Sequence, residues 1–252
     1  MKKQIVVIPV HNQLPFFVKA LESVITHSPD AVIIVVDDGS TDKETSNYLA
    51  SNKGKYIFLK NEVAKGFSYA CNKGMKYALD NFDFNCICLL NSDAEIVTPN
   101  WFSKVETYFM QLTNTGVASV MSDNAMAQTV KDVPNYLRRI HRKPFMYSPL
   151  AHGFCYFISK RLIEKIGLLD EIAFPHYGSE DDYSLKSIKN GFKNMIIGSV
   201  FVKHNNETSY THDVREEYVK ISLPTLLDKW GKKYVDECVK KYIAACKRIN
   251  RW

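Results

Sequence analysis

The sequence predicts an α/β fold in which a mostly parallel, Rossmann-like sheet is flanked by helices. Three observations support this prediction. Short apolar, β-branched runs alternate with segments whose apolar residues recur at helical spacing. The runs are apolar at nearly every position, as is typical of parallel strands buried on both faces. Polar residues follow the ends of several runs, which is where ligands bind in sheets of this kind.

The first half of the chain predicts strands and helices in alternation. The apolar run 5–10 indicates the first strand, and apolar residues at helical spacing in 16–25 indicate the helix that follows it. Ser40 or Thr41 is predicted to cap the second helix, which runs to about residue 50. The remaining predicted elements of this half are strands at 31–36, 56–59 and 86–90 and a helix at 66–79.

The pattern is less regular after Trp101. The polar, basic and proline-containing segment 123–149 predicts a long loop or lid that is mobile without ligand. From Ser222 the chain predicts an amphipathic basic helix, whose apolar stripe favours docking on the domain over a membrane anchor. The other predicted elements are strands at 116–121 and 195–202, an apolar segment at 152–159, a helix at 160–166 and a helical turn at 184–189.

Composition excludes several classes of protein. Apolar residues make up 46% and charged residues 24% of the chain, a balance that excludes wholesale disorder and fibrous repeats. No apolar run approaches the roughly 18 residues of a membrane-spanning helix. The first residues lack a signal-peptide pattern, and the six cysteines lack paired spacing. We therefore expect a cytoplasmic protein, which a basic surface could hold at the periphery of a membrane.

The net charge of +6 has two main sources. Segment 229–252 contains eight Lys or Arg and only two acidic residues, and a second basic cluster lies at 138–143. Each segment could contact an anionic membrane surface or nucleic acid. Each is equally compatible with a solvated helix face or loop, so both interpretations stay open.

Acidic residues stand at the ends of two predicted strands. Asp37 and Asp38 follow the second strand, where a carboxylate can accept a hydrogen bond from a pyrimidine ring or a ribose hydroxyl. The same residues are also typical of an Asx turn before a helix. Asp93 follows the fourth strand between Asn91 and Glu95, and oxygen ligands at this spacing suit a divalent cation that also binds substrate phosphates.

A third acidic cluster is formed by Glu180, Asp181 and Asp182. Repulsion among adjacent carboxylates raises a pKa and favours one of them as a proton acceptor. Acidic residues also commonly open helices, so a structural role is the alternative. His204 follows the strand predicted at 195–202, and a lone histidine is more often structural than a ligand.

Five segments resemble, in order, the motifs of the family 2 glycosyltransferases, which have the GT-A fold. The apolar run 5–12 with Asp37-Asp38-Gly39-Ser40 is similar to the opening of that family. Asn91-Ser92-Asp93 resembles its DxD-type metal-binding segment, and Glu180-Asp181-Asp182 resembles its ED motif. Segments 61–74 and 153–171 match the stretches between these motifs, so the resemblance covers about residues 4–210.

The resemblance implies an inverting enzyme that transfers a sugar from a nucleoside-diphosphate sugar to an acceptor hydroxyl. Asp181, or Glu180 if the motif slips by one residue, would be the general base. Asp93, with help from Glu95 and His204, would hold Mn²⁺ or Mg²⁺ on the donor diphosphate. The donor-binding residues would be Pro9, Val10, His11, Asp37, Asp38, Lys65, Gly66, Asn72, Asn91 and Ser92.

The resemblance also implies a division of the chain. Residues 1–215 would form the GT-A domain, with a donor-binding half at 1–100 and an acceptor and catalytic half at 101–215. Residues 216–252 would be a basic helical extension. Contact between Asp38 and the base would favour UDP or dTDP donors, although GDP donors occur in the family. The acceptor and the oligomeric state stay open.

Two alternatives to this function stay open, and three classes of enzyme are excluded. Asn91 stands where the family has an acid, and His11 where it more often has an aromatic residue, so a binding module without turnover is one alternative. A transferase that acts on a polyanion, such as modified nucleic acid, is the other. The first turn lacks glycines and no GxxxxGK[ST] motif occurs, which excludes dinucleotide-binding dehydrogenases, sugar nucleotidyltransferases and P-loop phosphotransferases.

Overall fold

The structure is a computed structural model that describes residues 2–205 and 216–252, and the backbone alone at 212–215. These residues form nine strands and nine α-helices. The strands are β1 (Ile5–Val10), β2 (Val32–Asp38), β3 (Ile57–Asn61), β4 (Cys86–Leu90), β5 (Ala94–Ile96), β6 (Thr115–Ser122), β7 (Phe145–Tyr147), β8 (Cys155–Ser159) and β9 (Lys193–His204). The helices are α1 (Leu14–His27), α2 (Lys43–Ser51), α3 (Phe67–Asn81), α4 (Trp101–Gln111), α5 (Val133–Arg138), α6 (Lys160–Ile166), α7 (Ser179–Lys189), α8 (His212–Trp230) and α9 (Lys232–Arg251).

One sheet contains all nine strands, in the order β3-β2-β1-β4-β8-β6-β9-β5, with β7 paired to β9. The predicted α/β class is confirmed, and β1 to β4 pair in parallel as their alternation with helices indicates. The second half is mixed rather than parallel, because β8 runs antiparallel to β4 and β6, and β5 and β7 run antiparallel to β9. Among the described strands of this half, only β6 and β9 pair in parallel, so parallel and antiparallel pairs lie side by side there.

Successive residues of the central strands face two different helical layers. Ile5 and Val7 of β1 pack in one core with α3, α7 and α9. Val6 and Ile8 pack in the other core with α1 and α4. All four side chains are fully buried. This burial on both faces explains why the strand is apolar at every position.

The strand register places polar turns beside one another at one edge of the sheet. Leu90 pairs with Cys155, so the turn after β4 lies against the residues that precede β8. Ala94 pairs with His204, so Asp93 lies beside the end of β9. Two chain segments that are about a hundred residues apart therefore meet at the same edge.

The prediction of a long loop at 123–149 is wrong. The segment contains α5, β7 and two 3₁₀ turns, at Met126–Gln128 and Ile140–Arg142. Pro134 lies in the first turn of α5, where proline is compatible with a helix because its missing N–H would have no partner there. Tyr136 of α5 is buried and donates a hydrogen bond to the carbonyl of Gly198, which fixes the segment to β9.

Two helix boundaries differ from the predictions. The N-cap of α2 is Asp42 rather than Ser40 or Thr41, because Asp42 Oδ1 accepts a hydrogen bond of 2.6 Å from the N–H of Thr45. The single C-terminal helix is in fact two helices. Gly231, with φ of 81°, separates α8 from α9 in a conformation that favours glycine.

Helix α9 docks on the domain, as its stripe predicts. Val235, Cys238, Tyr242 and Ile249 are buried in the core that α3 and α7 also share. Its apolar face is therefore covered by protein. Among the helices of the described residues, none has the length and apolarity needed to cross a membrane.

Candidate functional site

A cavity of about 570 Å³ lies at the carboxyl ends of β1, β2 and β4. It opens where the strand register brings the polar turns together, as expected for the binding crevice of an α/β sheet. The sequence-predicted residues that line it are Pro9, Val10, His11, Asp38, Asn91, Ser92, Asp93, Glu180, Asp181 and His204.

Asp38 fixes the loop that begins α3. Its carboxylate accepts hydrogen bonds from the backbone N–H groups of Lys65 (3.0 Å) and Gly66 (2.8 Å) and from the amide of Asn61 (2.8 Å). Gly66 has φ of 104°, and a Cβ there would lie 2.5 Å from the carbonyl oxygen of Pro175. The close approach of these two loops, which requires glycine, shapes one side of the cavity.

His11 and Asp37 occupy different positions at this edge. His11 lines the cavity, and its Nδ1 lies 2.8 Å from the backbone carbonyl oxygen of Asp38. Asp37 does not line the cavity; its Oδ1 accepts a 2.8 Å hydrogen bond from the N–H of Ser40 in the turn before α2. The Asx-turn interpretation therefore describes Asp37, and the cavity is lined by Asp38 instead.

Asp93 and His204 form a close pair at the other side of the cavity. Asp93 Oδ1 lies 3.3 Å from His204 Nε2, and both side chains are largely buried. Burial disfavours the charged imidazole, but Asp93 more than offsets this and raises the pKa of His204. His204 Nδ1 lies 2.8 Å from the carbonyl oxygen of Asn124, a contact that leaves Nε2 to face Asp93.

These two side chains fit a divalent cation that shares its coordination with substrate. A carboxylate oxygen and an imidazole nitrogen whose other ring nitrogen is fixed by a carbonyl are a common ligand pair. No cluster of three or more acidic, histidine or cysteine ligands occurs among the described residues, so no closed protein cage is formed there. An ion held by Asp93 and His204 would take its other ligands from phosphate oxygens and water.

The structure does not bring Glu95, Lys65 and Asn72 to the cavity. Glu95 lies in β5 and faces Lys203 at 3.8 Å. The Lys65 ammonium lies 3.1 Å from the hydroxyl of Tyr69. The Asn72 amide is buried, bonds to both backbone groups of Leu169, and thereby ties α3 to the segment before α7. Gly66 contributes through its backbone conformation rather than as a wall of the cavity.

Glu180 and Asp181 lie in the first turn of α7 and both face the cavity. Burial, together with the smaller effect of the neighbouring Glu180 carboxylate, raises the pKa of Asp181 to about 8. Burial also raises the pKa of Glu180. The Tyr156 hydroxyl donates a 3.0 Å hydrogen bond to the Glu180 carbonyl, which fixes this first turn to β8. Carboxyls with raised pKa values can accept a proton from a substrate hydroxyl.

Asp182 has a different role from its two neighbours. It is fully buried and points away from the cavity toward α8. One oxygen lies 2.8 Å from Trp230 Nε1 and 3.0 Å from Lys229 Nζ, and the other lies 2.8 Å from Lys186 Nζ. Asp182 therefore joins α7 to α8, and the choice of base is between Glu180 and Asp181.

Part of the cavity wall has no signal in the sequence. Helix α8 contributes Ser222 and Leu226, which lie four residues apart on one face of the helix. His176 also lines the cavity and stacks on Tyr218 with ring centroids 3.8 Å apart. Burial lowers the pKa of His176. The other lining residues not predicted are Phe67, Ala70, Met126, His152, Gly153, Phe154, Tyr177, Gly178, Val219 and Leu223.

Comparison with known families agrees with the motifs. The profile of Glycosyl transferase family 2 matches residues 5–167. The chain belongs to this family. A curated relative, an uncharacterized glycosyltransferase of Rickettsia typhi, is 27% identical over 211 residues, which is 79% of this chain and 60% of the relative.

Solved structures confirm the GT-A fold of this family 2 glycosyltransferase. The mannosyltransferase PcManGT from Pyrobaculum calidifontis, in complex with GDP-Man and Mn²⁺, superposes with a TM-score of 0.65 at 15% identity, over 90% of this chain and 65% of that one. GalNAc-T7 with UDP, GalNAc and Mn²⁺ gives a TM-score of 0.66 at 17% identity, over 93% of this chain and 50% of that one. The chain thus spans less than two thirds of each of these three proteins.

Proposed function

We propose that the protein transfers a sugar from a nucleoside-diphosphate sugar to an acceptor hydroxyl by a single metal-assisted displacement that inverts the anomeric carbon. The observation that supports this proposal is that three groups meet at one cavity: Asp38, the Asp93–His204 pair, and Asp181 with Glu180. Such a set offers nucleoside recognition, cation binding and a proton acceptor within one cavity. Membership of the family and the nucleotide-bound neighbours agree with it.

The donor nucleoside would lie beside Asp38 and the end of β1. Asp38 holds the 65–66 loop, and Pro9, Val10 and His11 form the adjoining wall. We propose a uridine or thymidine donor for this position. The two solved neighbours contain GDP-Man and UDP respectively, so a guanosine donor is the alternative that a binding assay has to include.

Asp93 and His204 would hold the cation on the donor diphosphate. A bound Mn²⁺ or Mg²⁺ would offset the negative charge that develops on the departing nucleoside diphosphate. Asn91 and Ser92 line the same part of the cavity and would contact the donor beside the ion. His204 would bind through Nε2, because its Nδ1 is engaged with the carbonyl of Asn124.

Asp181 would be the general base. Its carboxylate would take the proton of the acceptor hydroxyl as the acceptor oxygen bonds to the anomeric carbon and the bond from that carbon to the diphosphate oxygen breaks. Its raised pKa, caused first by burial, makes it a stronger proton acceptor than an exposed carboxylate. Glu180 faces the same cavity and is the alternative base.

A membrane-borne or polyanionic acceptor is a second candidate, favoured by one observation. The two basic segments meet, because Lys143 Nζ donates a 3.3 Å hydrogen bond to the carbonyl of Ile249 near the end of α9. The basic segment 138–143 therefore lies beside the basic end of α9. Acceptor binding that weakens as salt rises from about 50 to about 200 mM would support this candidate.

A thermal-shift panel tests the proposed function. The nucleotides are UDP, dTDP, GDP and CDP, each with Mn²⁺, with Mg²⁺ and with EDTA. A ligand that binds only the folded protein raises its Tm, so we expect one nucleotide to raise the Tm in the presence of metal alone. If none does so, the donor site does not function, and the non-catalytic binding module becomes the better interpretation.

A further inference from the structure

Gln128 is a buried polar residue between the C-terminal helix and the cavity. It lies in the 3₁₀ turn Met126–Gln128, and its side chain has no exposed surface. Its amide nitrogen donates to Ser119 Oγ at 3.0 Å and to the carbonyl of Val120. Its amide oxygen accepts from the N–H of His152 at 2.8 Å and from the hydroxyl of Tyr242 at 3.1 Å. Both ends of the amide are therefore fully engaged.

The bonds of Gln128 and Ser119 form a closed ring around His152. The N–H of His152 donates to Gln128, whose amide nitrogen donates to Ser119 Oγ. The Ser119 hydroxyl in turn donates to the backbone carbonyl of His152 at 2.8 Å. Both backbone polar groups of His152 are thus held by β6 and the 3₁₀ turn. Networks of this kind, when fully satisfied, rigidify the segment that they hold.

Tyr242 connects this ring to α9. Its side chain is buried in the middle of the helix, and its hydroxyl shares the Gln128 oxygen with the N–H of His152. Burial raises the pKa of Tyr242 well above its ordinary value, with further contributions from Cys246 and Asp181, so the phenol stays protonated and donates. A helix outside the segment matched by the family profile therefore takes part in fixing a residue that lines the cavity.

The segment that this ring holds touches both sets of proposed catalytic groups. Gly153 packs so closely on Glu180 that a Cβ there would lie 3.2 Å from its carboxyl carbon. Phe154 stacks on His204 with ring centroids 5.1 Å apart, and its carbonyl accepts a 2.9 Å hydrogen bond from the N–H of Asn91. A shift of His152 would therefore displace the groups beside the proposed base and beside the proposed metal ligand.

We infer that Gln128 is a positioning residue, which with Tyr242 holds segment 152–154 against Glu180 and His204 so that the base and the metal ligand keep their relative placement. The inference rests on the proposed function of those two groups. Small misplacements of reacting groups cost up to about a hundredfold in rate, so loss of the ring reduces kcat while donor binding at Asp38 is retained.

The test compares Tyr242→Phe with a matched control, Tyr56→Phe. Tyr56 is also buried, and its hydroxyl also donates one hydrogen bond to a backbone oxygen, that of Leu49 at 3.0 Å, but it lies in the other core. Three quantities are measured: kcat for release of nucleoside diphosphate from the donor class that the thermal-shift panel selects, the Kd of that nucleotide with Mn²⁺, and the hydrogen-exchange rate of the His152 amide.

Tyr242→Phe should lower kcat about tenfold, leave the Kd for the nucleotide within about twofold, and speed exchange at His152 about threefold to tenfold. Tyr56→Phe should lower the Tm by a similar amount and leave all three quantities unchanged. Gln128→Met, which removes the whole ring, should show the same pattern with a larger loss of kcat. If Gln128→Met does not fold, Ser119→Ala serves as the second variant, because it removes the bond to the carbonyl of His152 and the bond from the Gln128 amide nitrogen, and keeps both bonds to the Gln128 amide oxygen.

The inference is overturned if Tyr242→Phe speeds exchange at His152 but keeps the kcat of the unmodified protein, because the ring is then structural only. It is equally overturned if exchange at His152 does not change in either Tyr242→Phe or the second variant. Failure of the proposed function looks different. The unmodified protein would then release no nucleoside diphosphate and bind no nucleotide, whatever the exchange at His152 shows.

Discussion

Asp93 and His204 are 111 positions apart in the chain, and the pairing of β5 with β9 brings Asp93 Oδ1 to 3.3 Å from His204 Nε2. The two side chains offer a carboxylate and an imidazole to the same point of the cavity. The Asn124 carbonyl engages the other nitrogen of the imidazole and fixes the ring. Ligands that are held before the ion arrives bind it at a lower entropic cost.

Replacement of either member of this pair should abolish the effect of metal on nucleotide binding. We expect His204→Ala and Asp93→Ala each to weaken Mn²⁺-dependent nucleotide binding by at least about tenfold, because each removes one of the two proposed metal ligands. Glu95→Gln is the matched control, since Glu95 faces Lys203 and not the cavity. Calorimetric titration of the nucleotide with Mn²⁺ measures the effect. Loss of binding in Glu95→Gln alone would show that the ion lies elsewhere.

The raised pKa of Asp181 predicts a pH dependence of activity. The group must be deprotonated to accept a proton, so kcat/KM should rise with pH and level off near the pKa of about 8 that burial and Glu180 produce. A profile measured between pH 5 and pH 9 checks this. A flat profile over the same range would mean that no buried carboxyl limits the reaction.

The same shift predicts a pH dependence of stability. The folded protein holds a proton on Asp181 that the unfolded chain releases near its ordinary pKa of 3.8, so the stabilisation is complete below that value and is lost as pH rises to about 8. The Tm should therefore fall with rising pH across this window more steeply in the unmodified protein than in Asp181→Asn. Identical slopes for the two proteins would contradict the assignment.

Asp182 should matter for stability more than for chemistry. It is fully buried and is held by Trp230, Lys229 and Lys186, so Asp182→Ala removes the acceptor of the Trp230 indole and one of the two carboxylates beside each lysine, the other being that of Asp170. We expect the free energy of unfolding, measured with urea, to fall by about 2–4 kcal/mol. The loss is limited because the two lysines are partly solvated. Asp236→Ala is the control, because the exposed Asp236 pair should contribute less than about 1 kcal/mol.

Gly66 should not tolerate a side chain. Gly66→Ala combines a φ of 104° with a Cβ 2.5 Å from the oxygen of Pro175, so we expect a loss of at least about 2 kcal/mol in unfolding free energy and weaker nucleotide binding. Gly191→Ala separates the two causes. Gly191 has φ of 84° but no atom within 4 Å of its Cβ position, so only backbone strain of about 1 kcal/mol should appear. Equal losses would show that the contact with Pro175 is unimportant.

Local pattern was sufficient for much of the fold. The bounds of β1, β4 and α6 are those that the sequence predicts. Strands buried on both faces are apolar at every position, and a glycine follows the last residue of α6, so both kinds of element can be recognised from residue type. The strand ends and the acidic turns likewise predicted where the cavity lies. The pairing of strands that are distant in the sequence could not be predicted from residue type. The three-residue strand β5 exists only because it pairs with β9, and this pairing directs Glu95 to Lys203.

Residues whose roles come from distant contacts could not be predicted either. Asn72 fits the motif of a donor-binding residue, but its amide is used to hold Leu169, ninety-seven positions away. Gln128 lies in a segment that the sequence describes as a loop, and its four partners come from three separate parts of the chain. Only the folded structure shows which distant segments such residues hold together.

The most direct test of the central claim is the release of nucleoside diphosphate from UDP-, dTDP- and GDP-sugars, with water or a simple glycoside as acceptor, by the unmodified protein and by Asp181→Asn. We predict Mn²⁺-dependent release from one donor class, a loss of about a hundredfold or more in Asp181→Asn, and unchanged nucleotide affinity in that variant. Glu180→Gln is measured in parallel. If release is lost in Glu180→Gln and kept in Asp181→Asn, Glu180 is the base. Release that persists at full rate in both variants, or no release from any donor, would contradict the account.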